Sequence, residues 1–344
     1  MANNPYENTK LKSILIGMMI VALILSWTAM RGISTIPYSG YRMSSDYRVV
    51  QLRSGGPASF AGLKLGDQII EINGIPTQRL YQLLRQAEPK PGDTIHLKVL
   101  RNGAELNIAY QAIPLPTRQA TSVWIYQIVA LYMLVGGLSL FWAKPRKTTL
   151  LFALSSTFIA LSLMTPPHLQ SLLFRNLVAL NSLFFTVLGL AFFLHLTIVF
   201  PKPKLSVLET PVEIFIYLPV PLLLAFYLSL GLFQPWVDLR LNQTLNYGFG
   251  LCVLYCLGLS LAAVIHSYWI SRSTAQPCLG LLVGSLLGIL PPAVLVLRNC
   301  FLPRLALPGS SLYPLMILFA YFAFTWALLK EEPQVDSDLF QKAA

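Results

Sequence analysis

Eight runs of the chain, each about 15 to 24 residues long, contain no Asp, Glu, Lys or Arg: 13–30, 123–142, 150–164, 177–200, 215–233, 247–270, 279–297 and 312–329. A helix rises 1.5 Å per residue and needs roughly 20 apolar residues to cross about 30 Å of hydrocarbon, so each run is read as a transmembrane helix. The third is the shortest. The first follows Lys10 and Lys12 but has no A-x-A-like cleavage site after it, and it is read as an uncleaved anchor. With 55% hydrophobic and only 11% charged residues, the chain does not have the makeup of an ordinary soluble globule.

The net charge of +11 comes from 25 Lys and Arg against 14 Asp and Glu. These bases flank the apolar runs, as retention of positive residues on the cytoplasmic side requires, so no nucleic-acid partner is expected. With eight alternating spans, Lys10, Lys12, Lys144, Arg146, Lys147, Lys202, Lys204, Arg272 and Lys330 share one side, while Arg175, Arg240, Arg298 and Arg304 lie opposite. That predicts a multi-pass protein of the cell inner membrane, with both termini cytoplasmic and the stretch between the first two spans outside. The predicted divisions are a cytoplasmic N-terminus (1–12), an anchor (13–30), an extracytoplasmic domain (31–122), a seven-helix membrane domain (123–329) and a cytoplasmic tail (330–344).

Between residues 31 and 122 charges, Gly and Pro return, in enough chain for one small domain. Apolar patterns at 47–52, 68–73 and 94–100 predict strands. They are separated by turn formers at Gly55-Gly56-Pro57, Gly66-Asp67, Asn73-Gly74, Pro91-Gly92-Asp93 and Asn102-Gly103. Two short helices are expected, at 58–61 and 78–87, the second with Leu80, Leu83 and Leu84 at helical spacing.

The run 54–74, SGGPASFAGLKLGDQIIEING, resembles the signature of a PDZ domain, here spanning about residues 38–112. The whole chain then reads as a mixed fold: an all-α polytopic membrane bundle of about eight transmembrane helices, with one small α+β PDZ-like domain inserted after the first helix. Signature residues Gly62, Leu63, Gly66, Asp67, Asn73 and Gly74 are expected to shape turns and core rather than a binding surface. The resemblance implies capture of a peptide or protein C-terminal tail as an added strand, its carboxylate held by backbone N–H groups of a glycine-containing loop. The matching segment is Tyr38-Ser39-Gly40-Tyr41, with Leu80 and Leu84 forming the opposite wall. Tyr38 and Tyr41 equally suit interfacial aromatic anchors just beyond the first span, and Arg42 departs from the usual apolar strand start.

No catalytic constellation is found, and no enzyme activity is expected. His96, His168, His195 and His266 are never one helical turn apart, so no H-E-x-x-H zinc site exists. Gly284-Ser285-Leu286-Leu287-Gly288 does not match a serine-protease nucleophile loop, the spans contain no Asp, and a trypsin-like domain needs far more soluble chain. Cys252 and Cys256 sit one turn apart without His or carboxylate near them, so neither metal nor cofactor is expected. His195 is the candidate membrane-domain sensor residue, with a hydrogen bond to a neighbouring helix as its plainer role. Gly280-x-x-x-Gly284-x-x-x-Gly288 suits close helix packing within the chain or in a homodimer. Kinks are expected at Pro291-Pro292 and at Pro219 with Pro221.

The stretch His195-Leu-Thr-Ile-Val-Phe-Pro-Lys-Pro-Lys204, and the order anchor, PDZ-like domain, further spans, resemble the membrane input half of PDZ-containing sensor histidine kinases of the competence quorum-sensing type. That resemblance implies two-component signalling with a histidine kinase or response regulator as partner. Only residues 330–344 follow the last span, so kinase activity itself is not expected. The expected function is a non-enzymatic membrane sensor or adaptor. Alternatives are a regulatory or substrate-presenting subunit of a separate membrane protease or secretion complex and, below that, a carrier for an uncharged solute.

Overall fold

The computed structural model describes residues 9–44, 46–79, 89–164, 172–201, 214–232, 239–270, 276–302 and 310–330. It has two parts, a small β-rich domain near the N-terminus and a bundle of apolar helices.

Helix α1 (Thr9–Arg31) leads through a 3-10 turn (Ile33–Thr35) into the β-rich domain. Its strands are β1 (Pro37–Tyr38), β2 (Tyr41–Met43), β3 (Val49–Leu52), β4 (Gln68–Ile72), β5 (Ile75–Pro76), β6 (Thr94–Arg101), β7 (Ala104–Gln111) and β8 (Ile113–Pro114). The short helix α2 (Pro57–Phe60) lies between β3 and β4, with Pro57 at its first turn, where a missing N–H costs nothing. An antiparallel sheet of order β5-β4-β6-β7 packs against the β2–β3 hairpin over a core of Val49, Ala58, Leu63, Ile69, Ile95, Leu97, Val99, Ile108 and Tyr110. On β6 the alternation is regular, Ile95, Leu97 and Val99 facing inward. Strand β7 was not predicted. Its first half is exposed, with Glu105 and Asn107 interrupting the apolar residues, and only Ile108 and Tyr110 are buried, so the buried alternation is confined to its end.

The domain's entry and exit are tied together. β1 pairs antiparallel with β8, Pro37 opposite Pro114 and Tyr38 opposite Ile113, and Leu115 N–H donates to Ile36 O at 3.1 Å. The chain therefore leaves α1 and enters the next helix at one place, and the domain sits as an insertion between two neighbouring helices.

The bundle comprises α3 (Thr117–Ala143), α4 (Lys147–Leu163), α5 (Leu172–Val199), α6 (Pro219–Leu232), α7 (Leu239–Ile270), α8 (Gln276–Phe301), a 3-10 segment (Ser310–Met316) and α9 (Ile317–Lys330). Among the described residues each predicted run lies mostly on helix, the eighth opening in the 3-10 segment. Among the described residues five segments are long and apolar enough to cross a membrane: Gln119–Ala143, Ser182–Val199, Tyr247–Ile270, Leu279–Phe301 and Leu312–Lys330. Lys12–Thr28, Lys147–Leu163 and Ile214–Ala225 are shorter apolar helices. Large apolar side chains such as Ile128, Leu251 and Phe322 face outward, a surface that implies a lipid surround.

Glycines set the helix spacing. A Cβ on Gly288 would stand 2.5 Å from Ala320 N, and one on Gly284 would stand 2.9 Å from Phe319 O, so the small-residue stripe of α8 is filled by α9 of the same chain. Gly137 lies as closely on Ser156 of α4, and Gly189 on Ile159. Tyr321 of α9 donates from its hydroxyl to Met133 O at 3.1 Å and stacks near Phe152 at 4.9 Å. Helix α8 is continuous through Pro291 and Pro292, whereas the fifth run is interrupted at Leu218, immediately before Pro219.

Candidate functional site

Ser39 and Gly40 link β1 to β2. Gly40 has φ +83°, and its Cα lies so near the following turn that an added Cβ would be 3.0 Å from Gly56 Cα. Only glycine takes both that backbone and that proximity without strain. The loop's carbonyls are engaged by the same turn: Arg53 N–H donates to Gly40 O at 2.8 Å, and Ala58 N–H to Ser39 O at 3.1 Å. Among the described residues, the N–H groups of Ser39 and Gly40 make no backbone hydrogen bond.

The two aromatics of the loop have separate roles. Tyr41 opens β2 opposite Leu52 and packs on the domain core, its ring edge-on to Tyr110 at 6.1 Å. Burial, and next the neighbouring Tyr110, push its phenol well above the ordinary range. Tyr38 instead faces α3, and its hydroxyl accepts from Gln119 Nε2 at 3.2 Å. The strand register places Arg42 outward, opposite Gln51. Its side chain is exposed, yet enough protein surrounds it that lost hydration, and then the charge of Arg298 at the end of α8, lower its guanidinium pKa from the ordinary value.

Strand β2 pairs with β3 only, so among the described residues its other edge is open. Beside the loop lies a cavity of about 630 Å³ lined by Tyr38, Gly40, Tyr41, Arg42, Gln51, Leu52, Arg53, Ser54, Gln119 and Ser122. Its walls carry two guanidinium groups and, among the described residues, no carboxylate. Leu80 and Leu84, predicted as the opposite wall, lie outside the described residues, as does nearly all of the helix expected at 78–87.

The signature residues build the frame of this site. Gly62 and Gly66 hold φ of +93° and +87° on either side of buried Leu63. Asp67 is 2% exposed and accepts from Lys64 N–H at 2.8 Å and from Arg101 Nε and Nη2, both at 2.7 Å. Burial by itself would raise its carboxyl, but the Arg101 and Lys64 hydrogen bonds and charges outweigh that and hold it below the usual range. Arg101 Nη2 also donates to Gly62 O at 2.7 Å, locking both ends of the AGLKLGD segment. Asn73 and Gly74 have φ of +48° and +79°, the tight hairpin turn between β4 and β5, and Asn73 Oδ1 accepts from His96 N–H at 2.9 Å.

The family model of the PDZ domain matches residues 32–111. This part of the chain is a PDZ domain. The match includes the 3-10 turn ahead of the predicted start at residue 38 and ends with β7. A PDZ domain points to protein or peptide binding, and the open β2 edge beside the Gly40 loop is where an added strand would lie.

Several groups at the cavity beside the Gly40 loop escaped the sequence reading. Gln119 and Ser122 fell in the stretch ahead of the predicted span at 123, but α3 begins at Thr117 and brings both to the groove wall. Arg101 stands far from Asp67 in sequence, and no local pattern pairs them. The polar residues between Pro116 and residue 123 were the available signal. His195, 6% exposed near the end of α5, has Nδ1 at 2.9 Å from the hydroxyl of Tyr217 in the next helical stretch, and it is not among the residues lining the cavity. Cys256 is fully buried in the bundle core and Cys252 packs beside it.

Proposed function

We propose that the protein is a non-enzymatic membrane sensor or adaptor whose PDZ domain, outside the cytoplasm, takes up an extended peptide or protein tail. In this reading all eight helices cross the cell inner membrane, and both termini are cytoplasmic. Occupancy of the groove shifts the bundle, which a histidine kinase or response regulator reads on the cytoplasmic side. The observation that carries the reading is the β2 edge ending in the Gly40 loop, which among the described residues is unpaired and whose loop N–H groups lack backbone partners there. The bundle ends support the alternation: Lys144 Nζ, after α3, donates to Leu329 O at 2.5 Å, so the end of α3 meets the end of α9 on one side. Lysine at helix C-terminal carbonyls is also favourable electrostatically.

The test uses the full chain in nanodiscs with fluorescent peptides ending in a free carboxylate. Binding is expected, with loss of at least about tenfold in affinity when the C-terminus is amidated. Gly40→Val is expected to abolish it, with the thermal melt reporting whether the domain persists. Failure of every free-carboxylate tail to bind overturns the reading. So does protease mapping of intact cells that places residues 31–122 in the cytosol, or substrate turnover by the purified chain.

A further inference from the structure

The cavity at the Gly40 loop is not formed by the PDZ domain alone. Gln119 and Ser122, from the first turns of α3, stand in its wall with Arg42 and Arg53 of the hairpin. Gln119 is held in place by its bond to the Tyr38 hydroxyl, but its Oε1 is buried and, among the described residues, accepts from no donor. That acceptor is closed off from solvent, so a ligand N–H relieves its desolvation cost only when the Gln119 amide turns toward the cavity. The volume of about 630 Å³ falls within the range of ligand pockets, about 300–1,000 Å³.

Building on the tail-binding reading above, we propose that this cavity is a composite receptor site, shared between the PDZ domain and α3, for a peptide tail with acidic side chains beside its C-terminus. The two sets of groups ask for different things. Arg42 and Arg53, with no carboxylate among the described lining residues, favour anionic side chains. Gln119 Oε1, once its amide turns inward, takes a donor, and the Ser39 and Gly40 N–H groups, without a backbone acceptor among the described residues, take an acceptor. A peptide offers amide N–H, carbonyl oxygen and carboxylates together. An anionic phosphodiester headgroup has no donor on its charged group for Gln119. Because α3 runs from this wall to Ala143 and is followed by Lys144, which bonds the last carbonyls of α9, a tail that engages Gln119 presses directly on the bundle.

The test is made on the full chain in phosphatidylcholine nanodiscs with two fluorescent peptide libraries. The two are identical except for Asp or Asn at the second and third positions from a free C-terminus. The Asp library is expected to bind about ten times tighter. Arg42→Gln with Arg53→Gln is expected to reduce that preference to within about twofold while the Asn library still binds. Gln119→Ala is expected to weaken both libraries several-fold, and Gln119→Glu to weaken the Asp library more than the Asn library. Equal binding of the two libraries overturns the acidic preference and leaves tail binding standing, whereas no binding of either removes the reading beneath it. Silent Gln119 variants overturn the shared site. Nanodiscs with phosphatidylglycerol separate the other source of negative charge: if the double arginine variant loses lipid retention while its peptide preference is unchanged, the arginines serve the membrane and the proposal fails.

Discussion

Glycine serves the PDZ domain and the helical bundle in different ways. In the domain, Gly40, Gly55, Gly62, Gly66, Gly74, Gly92 and Gly103 all hold positive φ, and most have open space where a side chain would stand. In the bundle, Gly136, Gly137, Gly189, Gly284 and Gly288 have ordinary helical backbone, and what they avoid is collision with the next helix. The domain needs glycine for what the chain can do locally. The bundle needs it for what lies across a helix interface. A domain with water on its outside can drive folding by burying Leu63, Ile69 and Val99, but apolar helices in lipid gain little that way and depend on close van der Waals fit.

The largest expected effect tests the bundle side of this contrast. Gly288→Leu forces a side chain into the backbone of α9 at Ala320 and is expected to destabilise the bundle by at least about 3 kcal/mol, read as lowered thermal stability in nanodiscs, with peptide binding by the PDZ domain the less affected property. An unchanged melt would mean that α8 and α9 pack less closely than described.

Next comes the domain's own clamp. Asp67→Ala leaves Arg101 without its carboxylate and Lys64 N–H without its acceptor, and is expected to cost about 3 kcal/mol, measured as early proteolysis within residues 32–111 while the bundle stays protected. The acid dependence has a definite sign. The folded Asp67 carboxyl titrates below its unfolded value, so its contribution is fully present above about pH 4 and is lost as pH falls through the folded value. The domain's melt is expected to fall with acidification below about pH 4, and the Asp67→Asn domain to lose that part of its acid sensitivity.

A smaller effect is expected at Asn102, which holds φ +51° before Gly103 in the β6–β7 turn. Asn102→Val is expected to cost about 1–2 kcal/mol, seen as a lower domain melting point. The smallest concerns Gly280, where an added Cβ meets only Trp326 at 3.6 Å. Gly280→Ala is expected to change stability by less than about 0.5 kcal/mol, so the series Gly288, Gly284, Gly280 grades the fit along one stripe.

Much of the arrangement is legible in the sequence. The apolar runs located the helices, because a stretch free of charge over this length has few other homes. The 54–74 run located the domain, because positive-φ turns admit few residue types. Strand β7 was missed because Glu105 and Asn107 interrupt its apolar residues, and the α3 boundary because Thr117–Ser122 is polar enough to read as linker yet helical enough to continue the span. Of the groove, the Gly40 loop was legible from the glycine between two tyrosines. That Tyr41 serves the core while Tyr38 turns to Gln119 was not, since both are the same aromatic residue within two positions of the glycine.

The sequence alone determined where the chain turns, where it is too apolar for water, and that a PDZ domain interrupts the helices, since each depends on residues near one another along the chain. Tertiary structure decided that Arg101 locks Asp67, that the glycine stripe of α8 is filled from within the molecule, and that α3 walls the groove. Those pairings join residues distant in sequence, and which of several chemically suitable partners meets another is fixed only when the whole chain packs.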